Sequence, residues 1–148
     1  MNPTANRSLA ALGLRVVGAL LLVAAGAIHL YLWSTGYDTI DWIGPLFLVN
    51  AIGAFALALA VLATPRRLLF WPAAAGALLQ IGTLGGLVLA STVGLFGFVE
   101  SSAASYYWDS VIAESVGFVV LAVLAGLCRP VRRSQVREDW TEPVRAGG

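Results

Sequence analysis

Four stretches long enough to cross a bilayer, three of them free of charged side chains, constrain this chain more than any other feature. A hydrocarbon core of about 30 Å needs roughly 20 apolar residues at 1.5 Å rise each. Windows of that kind run over 16–33, 43–63, 68–98 and 111–128, the last holding one acid, Glu114. They are apolar on every side, unlike the striped helices of a water-soluble core. Pro72 is suited to a first helical turn, where its missing N–H leaves nothing unbonded. Spans of about 16–33, 43–63, 72–97 and 110–128 follow. The expected fold is an all-α membrane protein, a bundle of four transmembrane helices forming one domain over 1–128. Residues 129–148 are read as a charged cytoplasmic tail.

Composition removes the soluble alternative: 59% of residues are hydrophobic, 11% are charged, and mean hydropathy is +0.83, too little polar surface to meet water. The net charge of +1 offers no clustered basic face for phosphates, so no nucleic-acid partner is expected. The single cysteine, Cys128, excludes an internal disulfide and a CxxC pair.

Turn chemistry separates the spans. Ser34-Thr35-Gly36-Tyr37-Asp38 ends the first, Gly44-Pro45 starts the second, and Thr64-Pro65-Arg66-Arg67 makes a tight turn. The connection from Glu100 to Tyr107 is the longest, and Arg129-Pro130 closes the last helix. A cleaved signal peptide over the first window is set aside, because Tyr31, Trp33 and His29 have the character of retained anchor and interior residues.

Orientation follows from the basic residues, which are all arginine. Arg7 and Arg15 precede the first span, Arg66 and Arg67 lie between the second and third, and Arg129, Arg132, Arg133, Arg137 and Arg145 follow the fourth. The other two connections carry Asp38, Asp41, Glu100 and Asp109. The positive-inside tendency places both termini in the cytoplasm and the acidic loops outside. Trp33, Trp42, Trp108 and the tyrosines fall at the outer boundary, where amphipathic rings settle.

A weak echo links Gly18-Ala19-Leu20-Leu21 to Gly76-Ala77-Leu78-Leu79. It is compatible with two tandem helical hairpins that place Asn50 and Glu114 at equivalent positions. In a bilayer, helices associate through close backbone approach and hydrogen bonds rather than water exclusion. Gly82, Gly86, Ala90 and Gly94 recur every fourth residue and are expected to form a helix-packing groove, inside the monomer in preference to a dimer surface.

His29, Asn50 and Glu114 all lie roughly 6–10 Å below the outer boundary by helix rise. Thr92 reaches a similar depth, and Glu100 is placed to cap the layer. An ionisable residue in hydrocarbon costs about 2.5–3.5 kcal/mol, so Glu114 is expected to face the interior, with His29 as partner. Three readings compete for this cluster: an interhelical hydrogen-bond network in a structural or accessory subunit, an outward-facing pocket that binds or transports a proton or small ligand, and a cofactor- or quinone-linked redox site. One histidine cannot supply bis-histidine haem ligation, and His plus Glu is an incomplete zinc shell. No cofactor or metal is therefore called for, with haem and quinone left open. No nucleophile, base and orienting group appear together, so the function is read as non-enzymatic. The partners expected are the lipid bilayer and, beyond it, other membrane subunits or a second copy.

The runs Gly26-Ala27-Ile28-His29-Leu30-Tyr31-Leu32-Trp33, Ile43-Gly44-Pro45-Leu46-Phe47-Leu48-Val49-Asn50 and Gly94-Leu95-Phe96-Gly97-Phe98 resemble small four-span integral membrane proteins of actinobacteria. That family is uncharacterised, so the resemblance implies topology, a bacterial source and the plasma membrane, and no activity. DoxX-like and vitamin K epoxide reductase-like proteins share only the span count, and the paired cysteines of the latter are missing here.

Overall fold

The computed structural model describes residues 3–130, with side chains from Leu9 onward, and the proposed tail beyond residue 130 lies outside them. Four long helices make up the described residues: α1 (Pro3–Ser34), α2 (Ile43–Ala63), α3 (Phe70–Thr92) and α4 (Tyr107–Leu127), with a short 3-10 turn at Tyr37–Thr39. Each of the four has the length and apolar composition to cross a membrane. Leu20, Leu59, Leu78 and Val119 point outward, all more than half exposed, as an acyl environment requires. The protein is a multi-pass four-helix membrane bundle.

Packing is heaviest within the α1–α2 and α3–α4 hairpins, α4 closes against α1, and of these neighbouring pairs α2 meets α3 most sparsely. Two ends can be distinguished. The basic end holds Arg15, Arg66, Arg67 and Arg129, and the acidic end holds Asp38, Asp41, Glu100 and Asp109.

The basic half is built around one buried apolar cluster. Leu22, Val61, Leu69, Leu121 and Leu124 are fully or almost fully buried in one cluster. A Cβ on Gly18 would lie 2.8 Å from Leu121 Cδ2, and one on Gly76 would lie 3.1 Å from Leu121 Cδ1. Those two glycines form the slot that accepts Leu121, the close approach that replaces the hydrophobic effect in lipid. Arg15, one residue before the expected span, lies within α1 and reaches the last carbonyls of α2. Its Nε donates to Val61 O at 2.6 Å, and its Nη2 donates to Leu62 O at 2.6 Å and Thr64 O at 2.5 Å. A cation there satisfies orphan carbonyls and the negative end of the helix dipole.

The third span is shorter than its hydropathy predicts. α3 stops at Thr92, not at residue 97. Gly94 takes the left-handed conformation (φ +85°), and its N–H bonds back to Leu89 O at 3.0 Å. Leu95 and Phe98 then exchange two backbone hydrogen bonds across Phe96 and Gly97, both at positive φ, the pattern of a type I′ hairpin turn. Hydropathy cannot see this stop, because the residues on both sides of it are apolar.

Candidate functional site

Where α2 and α3 separate, in the acidic half, a cavity of about 290 Å³ opens. Four helices and both acidic-end connections contribute to its wall: His29 from α1, Phe47 and Asn50 from α2, Thr83, Gly86 and Ala90 from α3, Ser110 and Glu114 from α4, with Tyr37, Phe98 and Glu100 above. Leu46, Val49 and Gly82 are lining residues that are also exposed. They mark an opening between α2 and α3 on the face that meets lipid.

Helical spacing explains the convergence. His29 shares a buried face of α1 with Leu22, Ala25 and Gly26, Asn50 lies beside Ala51 and Ala54, and Glu114 aligns with Gly117 and Leu121. Gly26 permits that alignment, since a Cβ there would sit 3.2 Å from Ala54 Cβ and 3.3 Å from Ala51 O. Gln80, completely buried, fills the notch left by Gly117 and donates to Ala113 O at 3.4 Å, fixing α3 against α4 just below the cavity.

His29 Nδ1 bonds to Ala25 O at 2.9 Å. A carbonyl only accepts, so Nδ1 carries a proton and Nε2 faces Glu114 Oε1, 3.8 Å away. That separation exceeds a hydrogen bond, so the two side chains face each other without a direct bond. Glu114 is 1% exposed and its Oε2 has no partner. Asn50 is 6% exposed, and neither its Oδ1 nor its Nδ2 is bonded. Buried polar atoms are bonded in the great majority of cases, so three such atoms around one cavity are a specific departure.

Tyr37 closes the acidic end. Its hydroxyl donates to Glu100 Oε2 at 2.8 Å, and its ring stacks on Phe47, 4.8 Å between centroids, and meets Phe98 edge-on at 5.8 Å. Phe47 in turn lies 4.8 Å from the His29 ring. Gly44 makes this cover possible, because a Cβ there would fall 2.8 Å from Asp38 O and 2.9 Å from Tyr37 O. Burial foremost, then the Glu100 hydrogen bond and charge, holds the Tyr37 phenol well above the usual tyrosine range.

The structure brings His29, Asn50, Glu114 and Glu100 to one cavity. Thr92 does not join them: it is exposed, and its hydroxyl donates back to Val88 O at 2.7 Å. The small-residue stripe is also corrected. Gly82 and Gly86 have nothing within 4 Å of a built Cβ, Ala90 lines the cavity with them, and Gly94 lies beyond the helix. The stripe hollows the wall instead of seating another helix, because α3 diverges from α2 at this height. Tyr37 and Phe47 are site residues that hydropathy hides, since each reads as an ordinary boundary or lipid-facing aromatic.

Among the described residues no group of three His, Cys, Asp or Glu could hold a metal, and His29 with Glu114 falls short of the three protein ligands of a catalytic zinc. Fold and site together define a multi-pass helical membrane protein with a largely apolar cavity and an unsatisfied polar wall. No protein-family model, curated protein or solved structure matches the chain.

Proposed function

We propose that this protein binds, and in moving it across the bilayer transports, a small molecule taken up between α2 and α3. The polar end of that molecule meets Asn50, His29 and Glu114. The observation that carries the reading is the set of unbonded buried atoms on Asn50 and Glu114 around a cavity of about 290 Å³. Its size is near the lower end of small-molecule sites, about 300 Å³, which combine apolar walls with a few placed polar groups. The opening toward lipid supports access from within the membrane. The orientation we favour puts the acidic end outside and the arginines in the cytoplasm of a bacterial cell, supported by Arg15, Arg66, Arg67 and Arg129 sharing one end. A purely structural network is the weaker reading, because Asn50 bonds to nothing.

Asn50→Leu tests this. An unbonded buried amide costs about 1–3 kcal/mol, so replacing it with a hydrocarbon of similar size is expected to raise the melting temperature of the purified protein in detergent. A binding residue kept at the expense of stability behaves that way. Lower stability in Asn50→Leu would assign Asn50 to an interhelical tie and sink the reading.

A further inference from the structure

We infer that the ligand is an organic cation, an amine or quaternary ammonium carried on a compact apolar body; this rests on the binding reading above. The ionisable side chains on the cavity wall are His29, Tyr37, Glu100 and Glu114. Two are carboxyls, none is an arginine, and the chain has no lysine. Arg15 is committed to the α2 carbonyls at the opposite end of the bundle. An anion drawn into this space would meet two carboxyls and no permanent counter-charge. A cation would find Glu114, whose Oε2 is free, and the free carbonyl oxygen of Asn50.

The rest of the wall fits an organic ion better than a bare metal ion. Phe47, Tyr37 and Phe98 form a run of ring contacts along it, with centroids 4.8 and 5.8 Å apart. Aromatic faces attract alkylammonium groups through their quadrupole, more strongly where water is excluded. Calcium needs about six to eight oxygens and magnesium a near-octahedral shell, which an apolar wall does not offer. A purely neutral oil would leave the Asn50 and Glu114 atoms unbonded at their full desolvation cost. Carboxylate, carbonyl and ring faces around a hydrocarbon-lined space match a cation with an apolar body.

Two probes of the same shape decide the matter: benzyltrimethylammonium and neopentylbenzene, its uncharged isostere. Each is titrated by calorimetry into the full-length protein in nanodiscs of phosphatidylcholine, whose zwitterionic surface does not collect cations. The ammonium is expected to bind at least about tenfold tighter than the isostere. Glu114→Gln is expected to remove at least about tenfold of the ammonium affinity and leave the isostere unchanged. Equal or tighter binding of the isostere to the wild type overturns the cation inference and leaves the cavity reading standing. No saturable binding of either probe overturns both. Should Glu114→Gln fail to fold, the wild-type comparison of the two probes still decides between these outcomes.

Discussion

The two halves of the bundle draw on the same small vocabulary of glycine, alanine and leucine and pack in opposite ways. In the basic half, the inward-facing glycines are filled: Gly18 and Gly76 grip Leu121, and Gly117, just below the cavity, accepts Gln80. In the acidic half, Gly82 and Gly86 face open space, and three of the four unbonded buried polar atoms, on Asn50 and Glu114, line the cavity there, the fourth being Gln80 Oε1 below it. A glycine in a membrane helix thus has no fixed meaning. It tightens the bundle when the facing helix presents a knob, and it makes room when that helix turns away. The buried apolar cluster lies in the half that fits, which leaves the other half free to hold side chains that stability alone would reject.

The sharpest way to break this division is Leu121→Ala. Leu121 is fully buried between two glycines that cannot follow the retreating side chain, so the cavity left behind should persist. A loss of about 2–5 kcal/mol is expected, read as a large drop in the melting temperature of the detergent-purified protein. A loss under about 1 kcal/mol would mean that the basic half is not the stabilising core.

Gly86→Leu sharpens the contrast from the other side. The periodic stripe on α3 alone predicts overpacking and a loss of about 1–3 kcal/mol. With nothing within 4 Å of a Cβ at this position, the leucine is expected to enter the cavity instead. Stability then holds or rises by up to about 1 kcal/mol, the gain in helix propensity over glycine. Binding of benzyltrimethylammonium is lost in the same variant. A melting temperature lowered to match 2 kcal/mol or more would put another helix against Gly86.

How much of this was legible beforehand depends on which physical signal each feature leaves. The four helices announce themselves through length and the absence of charge, a signal that survives any packing arrangement. His29, Asn50 and Glu114 are legible for the related reason that polar groups in hydrocarbon must turn inward, and helix rise fixes their depth. The end of α3 was hidden, because Gly94 and Gly97 stop the helix among residues as apolar as the helix itself. The stripe Gly82, Gly86 and Ala90 was legible as a groove and illegible as a cavity wall, since spacing along one helix does not report how far away the next one lies. Depth along a helix does not give azimuth, and Thr92 is exposed rather than turned into the cavity. Tyr37 was beyond reach, because its position over the cavity depends on the fold of a loop seated on Gly44.

That tyrosine supplies the smallest and most local prediction, on the acidic side of the comparison. Tyr37→Phe removes one partly buried hydrogen bond to Glu100 and keeps the ring on Phe47. At neutral pH the loss is expected to be about 0.5–1.5 kcal/mol, well below that of Leu121→Ala. The pH dependence has a definite sign. The folded state holds the Tyr37 proton above the usual range, through burial first and the Glu100 carboxylate second. The stability this contributes is therefore complete below the unfolded tyrosine pKa of about 10 and is lost as pH rises through the higher folded value. Wild-type melting should fall more steeply than that of Tyr37→Phe on going from neutral pH to about 11, with phenolate absorbance recorded alongside to count the tyrosines that have ionised. Parallel curves for the two proteins would show that the phenol is free in the folded state. The link between the two acidic-end connections, and with it the cover over the cavity, would then have to rest on the ring contacts with Phe47 and Phe98 alone.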